Sequence, residues 1–193
     1  LSLQDLTRPE WKGKVLIFDP RVPGSGQALG NFLYYNPQLG SEFIRALSRN
    51  EPLLMRDGRQ MVEWVSTGKY PLGLAPSPSI VLEFTKAGAP IKQLYSVKEG
   101  GYLVAGFGSV IVMDKAPHLN ASKVYLNWLL SREGQTVFSR AMGYVSRRVD
   151  VPTEHVDSES VPHPGAIYIE TYSEEAIERR AAVTSLMLEV FGR

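Results

Sequence analysis

Val15-Leu16-Ile17-Phe18-Asp19-Pro20-Arg21-Val22-Pro23-Gly24-Ser25-Gly26-Gln27 is the stretch whose reading decides the fold. Its opening four-residue apolar run is short enough for a buried strand. Asp19-Pro20-Arg21 ends the run, and Gly24-Ser25-Gly26 turns the chain into a helix over residues 27–35. Downstream, a second helix over 40–48 carries Phe43, Ile44 and Leu47 on one side, and Leu53-Leu54-Met55 reads as another short strand. Asp57 and Gln60 have capping-box spacing before a helix that Gly68 closes. Leu72-Gly73-Leu74-Ala75 is a strand, and Ser77-Pro78 opens a helix through Ile80, Val81 and Phe84 to Gly88. Ile91-Lys92-Gln93-Leu94 reads as a further strand. Strand and helix thus alternate over residues 15–94, which predicts an α/β lobe with a mixed, mostly parallel sheet and flanking helices.

Beyond that lobe, residues 101–113 read as one long strand or a bent pair. Helices follow over 120–131 and 132–141, the second ending at Gly143. Residues 150–165 are loop-like, with Pro152, Pro162, Pro164 and Gly165. Upstream, the lead containing Pro9 is polar. Ser173 caps a closing helix whose expected face is Ile177, Ala181, Thr184, Leu188 and Phe191.

With 193 residues, 44% of them hydrophobic, the chain can bury a sizeable core. Twenty-one basic against 20 acidic residues give a net charge of +1, so there is no bulk attraction to nucleic acid or an anionic membrane. Cysteine is absent, which excludes disulfides, thiolate metal sites and a cysteine nucleophile. A cysteine-free chain suits an oxidising compartment without requiring one. The start, Leu1-Ser2-Leu3-Gln4-Asp5, has neither the basic region nor the apolar stretch of a signal peptide, and the chain reads as a segment of a longer one.

A glycine-rich turn from strand end to helix start exposes backbone N–H groups that have no intrahelical partner. The helix dipole adds partial positive charge there, favouring a phosphate, carboxylate or similar oxyanion. Ser25 can donate its hydroxyl, and Arg21 can add a forked, charge-assisted contact. The turn is no P-loop, since no Gly-Lys-Ser/Thr follows at the required spacing. Arg56-Asp57-Gly58-Arg59-Gln60 is a second helix start of the same character, and Ala75-Pro76-Ser77-Pro78-Ser79 a third, with two hydroxyls. Ligands of open α/β sheets sit outside the carboxyl ends of the strands, where these three turns would converge. The candidate ligand-binding residues are therefore Arg21, Gly24, Ser25, Gly26, Gly58, Arg59, Ser77 and Ser79.

No enzyme is expected. Pro23 stands where a nucleophile elbow around Ser25 needs glycine. His118, His155 and His163 fall into no metal-ligand pattern, and Glu154, Asp157 and Glu159 read as a solvated acidic loop. Trp11, Trp64 and Trp128 read as core or lobe-interface residues, and Tyr34-Tyr35 as packing within a helix. No cofactor is implied.

Trp11-Lys12-Gly13-Lys14-Val15 leading to Asp19-Pro20-Arg21 and Gly24-Ser25-Gly26 opens a longer pattern. It continues through Val65-Ser66-Thr67-Gly68-Lys69-Tyr70-Pro71-Leu72 and Lys86-Ala87-Gly88-Ala89-Pro90. Lys115-Ala116-Pro117-His118-Leu119-Asn120 and Trp128-Leu129-Leu130-Ser131-Arg132-Glu133-Gly134-Gln135 complete it. In this order and spacing, about residues 9–151 resemble the ferric-iron-type family of ABC importer substrate-binding proteins. The resemblance implies a two-lobed, type II periplasmic-binding-protein fold that closes on its ligand in the interlobe cleft. It implies that residues 11–100 form the second, C-terminal lobe, that 101–150 return to the first, and that 151–193 form a C-terminal loop and helix.

The resemblance also puts the family's anion-binding helix start on Pro23, Gly24, Ser25 and Gly26. Iron-binding members carry adjacent tyrosines after the strand that here is 72–75. This chain has Pro78-Ser79 there, without a phenolate, whereas ferric iron wants several anionic oxygens. The expected role is thus the periplasmic or extracytoplasmic solute-binding component of an ABC importer. It would capture a small anionic solute or a chelated metal, with a membrane permease as partner and no nucleic acid. The alternative is a ligand-sensing regulatory domain of the same fold. Since the family's N-terminal segment, which builds most of the first lobe, is missing from this chain, exposed apolar surface is expected, with oligomerisation or domain exchange as ways to cover it.

Overall fold

The computed structural model describes residues 2–95, 97–103, 110–162, 164–171 and 173–192. In chain order its elements are β1 (Val15–Phe18), α1 (Ser25–Tyr35), α2 (Gly40–Arg49), β2 (Leu53–Met55), α3 (Gly58–Ser66), β3 (Leu72–Leu74), α4 (Pro78–Lys86) and β4 (Gly101–Leu103). There follow α5 (Leu119–Leu129), α6 (Arg132–Met142), β5 (Tyr168–Glu170), α7 (Glu174–Glu178) and α8 (Arg180–Phe191). The chain divides into two compact units, Leu1–Ala105 with Pro164–Arg193, and Gly106–His163.

In the first unit β1 is the middle strand of a parallel sheet ordered β2-β1-β3, with Ile17 opposite Leu54 on one side and Leu74 on the other. The side-chain alternation of a strand sends Val15 and Ile17 to one face and Leu16 to the other. On the first face they meet Leu29, Phe32 and Leu33 of α1, Phe43, Ile44 and Leu47 of α2, and Val183, Leu186 and Met187 of α8. On the second, Leu16 packs with Met55 and Met61, backed by Phe18, Trp64 and Tyr70. Each such side chain contributes about 1.5–3 kcal/mol on burial. A strand buried on both faces needs an unbroken apolar run, and residues 15–18 supply one. The fold is of the mixed α/β class with short parallel sheets, as the alternation in the sequence predicts.

Several local expectations change. Residues 91–94 form no strand: Pro90 offers no N–H to a ladder, and the Ile91 N–H is spent on the Ala89 carbonyl at 2.8 Å. Of the strand expected over 101–113, residues 101–103 are paired among the described residues. Residues 104–109 lie outside the described residues, and 110–113 are unpaired and exposed. The polar lead instead forms a 3-10 turn, Leu3–Thr7, whose Leu3 and Leu6 enter the main core. It is anchored by the buried carboxylate of Glu99, which accepts from the Leu3 N–H at 3.0 Å and from the Ser2 hydroxyl.

Strand β5, unforeseen, pairs in parallel with β4, placing Gly101 opposite Tyr168. Ser173 caps as expected, accepting from the Ala176 N–H, but the closing helix breaks at Arg179 and buries Ala176, Val183, Leu186 and Met187. Apolar residues surround most of this helix, so its periodicity does not select a stripe. Packing against α1 and α2 does.

In the second unit α5 and α6 are joined by a turn in which the Ser131 hydroxyl accepts from the Gly134 N–H, and α6 ends at the left-handed Gly143 (φ 68°). Its apolar side chains are poorly covered: Ile111 is 79% exposed and Val124 70%. His155 lies in a loop, half-buried, with Nε2 2.7 Å from the Ser139 hydroxyl. That hydroxyl donates to the Tyr144 carbonyl at 2.5 Å, an arrangement in which it accepts from His155 Nε2–H. His163 lies outside the described residues.

Candidate functional site

Parallel pairing brings the carboxyl ends of β1, β2 and β3 to one sheet edge, with β1 central. The turns that follow them touch. Asp19 N–H donates to the Met55 carbonyl at 2.8 Å. A Cβ on Gly58 would stand 3.2 Å from Ile80 Cδ1 and 3.6 Å from Phe18 Cε2. Arg59 reaches Glu83 of α4 at 2.6 Å and lies over the Phe84 ring. The helix starts at residues 23–26, 57–60 and 76–79 therefore share one edge, as strand order alone requires.

At its centre is a carboxylate that the sequence did not single out. Asp19 is 1% exposed and accepts from Arg21 Nε at 2.8 Å, Arg21 Nη2 at 3.0 Å and Arg56 Nε at 3.0 Å. The Arg21 side-chain hydrogen bonds dominate, outweighing the cost of burial, and hold its pKa at about 2 against an ordinary 3.8. Arg21 Nη1 donates to the Phe191 carbonyl at 2.8 Å, so the same cluster fastens the end of α8 to the sheet edge. The outward fork expected of Arg21 is thus turned inward: all three of its guanidinium nitrogens have partners in the chain.

The three helix starts differ. At α3 the Asp57 carboxylate accepts from the Arg59 and Gln60 N–H groups, at 2.9 and 3.0 Å, so two amides of that first turn are satisfied by its own cap. At α1 and α4, whose strands are neighbours, no side chain among the described residues caps the first turn. The α1 cap is Gly24, with φ 121° and ψ −151°, a backbone region open to glycine alone. Gly26 sits where the first turn meets the end of β1 so closely that a Cβ would lie 2.2 Å from the Asp19 carbonyl oxygen. The hydroxyl of Ser77, expected to cap α4, is instead 2.9 Å from the Ser79 hydroxyl. Gly24 is exposed, and Ser25, Ser77 and Ser79 are half-buried.

The structure thus brings Gly24, Ser25, Gly26, Gly58, Ser77 and Ser79 to one edge, and turns the Arg21 and Arg59 side chains to Asp19 and Glu83. A signal for Asp19 was present: an acid closing an apolar strand run, with Arg21 two residues on. Its second partner, Arg56, is fixed only by the register of β2 against β1. Tyr34 and Tyr35 pack edge to face, 5.3 Å apart, against the main core, as expected. Among the described residues no three His, Asp or Glu side chains cluster as metal ligands, and no helix is long and apolar enough to cross a membrane. In the second unit an open hollow of about 540 Å³ is lined by Arg132, Glu133, Thr136, Val137, Arg140 and Pro152.

The sequence model of a family described as "Bacterial extracellular solute-binding protein" matches residues 1–145. An uncharacterized protein of Haemophilus influenzae (strain ATCC 51907 / DSM 11121 / KW20 / Rd) is 28% identical over 134 residues. The match covers 68% of this chain and 38% of that relative, so the chain spans less than half of the relative's length.

Proposed function

This chain belongs to the bacterial extracellular solute-binding protein family, and from that premise we propose that it serves an ABC importer by capturing a small anionic solute, or a metal already chelated by one, in the periplasm. The carrying observation is that α1 and α4, which follow neighbouring strands, start at one sheet edge with no side-chain cap from their N-cap residues Gly24 and Ser77. Amides at Ser25, Gly26 and Gly58, with the hydroxyls of Ser25, Ser77 and Ser79, would take the anionic group. Arg21 and Arg59 belong to the same site and act on its shape and charge through Asp19 and Glu83. Replacement of the iron-type tyrosines by Pro78-Ser79 supports an oxyanion or a chelate over a bare ferric ion. The membrane permease of the importer is the proposed partner, meeting the protein once ligand has closed the cleft.

Calorimetric titration of the full-length protein with inorganic phosphate and with sulfate tests the site. Ser25→Ala is expected to weaken binding several-fold, about the worth of one hydrogen bond to a charged group. Gly24→Val should nearly abolish it, because a β-branched residue cannot hold φ 121° and the first turn must move. Circular dichroism would confirm that both variants remain folded. Unchanged affinity in both would remove the site.

A further inference from the structure

Three arginines stand at this edge, and their commitments differ. Arg21 has every guanidinium nitrogen engaged, two on Asp19 and one on the Phe191 carbonyl. Arg59 is neutralised by Glu83 at 2.6 Å and covered on one side by Phe84. Arg56 gives only its Nε to Asp19; among the described residues its two terminal nitrogens make no hydrogen bond, and its side chain is 69% exposed. One buried carboxylate thus serves two guanidinium groups. Asp57, the neighbouring acid, has its carboxylate on the amides of α3. Of the three guanidinium groups, that of Arg56 is the one whose exposed fork has no partner among the described residues.

We propose that Arg56 is the specificity-determining residue of the site, its fork held by Asp19 to receive one anionic oxygen-bearing group of the solute beside the uncapped starts of α1 and α4. The proposal rests on reading this edge as the ligand site. It narrows the solute class to molecules presenting a carboxylate, sulfate or phosphate group whose paired oxygens match a guanidinium fork. Asp19 acts as a positioning residue: by fixing Nε it spares Arg56 much of the rotamer entropy that a free surface arginine loses on binding. Its own charge is divided between Arg21 and Arg56.

The test is calorimetric titration of the full-length protein with inorganic phosphate and sulfate, comparing wild type, Arg56→Ala, Arg56→Lys and Arg45→Ala. Arg45 of α2 pairs with Glu189 of α8, belongs to none of the three helix starts, and controls for loss of a charge. Thermal melts of each variant accompany the titrations. For an oxyanion that wild type binds, Arg56→Ala is expected to raise Kd roughly ten- to a hundredfold. Arg56→Lys, keeping charge without the fork, should fall between, and Arg45→Ala should match wild type. Unchanged binding by Arg56→Ala, while Ser25→Ala still weakens it, would overturn the role of Arg56 and leave the site standing. Equal losses in Arg56→Ala and Arg45→Ala would overturn it as well, by reducing the effect to net charge. If wild type binds neither oxyanion, the reading of the edge fails and this role with it.

Discussion

Gly26→Ala is expected to destabilise the first unit strongly. A methyl at this position would lie 2.2 Å from the Asp19 carbonyl oxygen, 2.6 Å from its carbon and 2.7 Å from the Phe18 carbonyl oxygen. All three are backbone atoms at the end of the central strand, so no side-chain rotation relieves the contact. The first turn of α1 would have to lift from β1, pulling Leu29, Phe32 and Leu33 out of register with the core. Overpacking of this kind costs about 3 kcal/mol or more, against a total stability of roughly 5–15 kcal/mol for a typical domain. Urea unfolding followed by circular dichroism measures it. Gly13→Ala is the comparison: φ is 68°, but nothing lies within 4 Å of the added Cβ, so only the backbone cost of about 1–2 kcal/mol is expected. Equal midpoints for the two variants would contradict the close approach of α1 to β1.

Asp19→Ala has the second largest expected effect. It leaves Arg21 half-buried without its acceptor and brings two guanidinium groups together with no charge between them, a loss of about 3–5 kcal/mol. The pH dependence follows from the depressed pKa. Between its folded value of about 2 and its ordinary 3.8, the unfolded chain binds more protons at Asp19 than the folded one. Its contribution, about 2 kcal/mol, is therefore complete above the ordinary value, declines as the pH falls through this window, and is gone below about 2. Thermal melts of wild type and Asp19→Asn from pH 5 to pH 2 should show a steeper fall for wild type. Parallel curves would mean that this carboxylate is not held by its arginines.

Much of this architecture is legible in the sequence because its determinants are local. The four apolar residues before Asp19-Pro20, the Asp57 cap and the Ser77-Pro78 start each specify an element without reference to the rest of the chain. Where the determinants lie far apart in sequence, the reading fails. Leu3 and Leu6 look like part of a polar lead until Glu99, some 96 residues on, supplies the acceptor that fixes them. Strand β5 is three residues long and recognisable only beside β4. The side of α8 that is buried depends on α1 and α2, not on its own periodicity.

The candidate edge shows the same division. Gly24-Ser25-Gly26 announces a helix start that can meet an anion, and parallel strand order gathers its companions. The sequence does not tell that Arg21 faces inward, that Asp57 takes two amides of α3, or that Arg56 is the arginine left, among the described residues, with free nitrogens. Each depends on which side chain reaches first across neighbouring strands.

The most direct measurement is an amide NMR titration of the full-length protein with phosphate and with sulfate. The amides of Ser25, Gly26, Gly58 and Ser79 should shift together, along one binding curve, as the anion settles between the starts of α1 and α4. Shifts confined to the hollow at Arg132–Arg140, or an absence of shifts at Ser25 and Ser79, would contradict an anion held at this sheet edge.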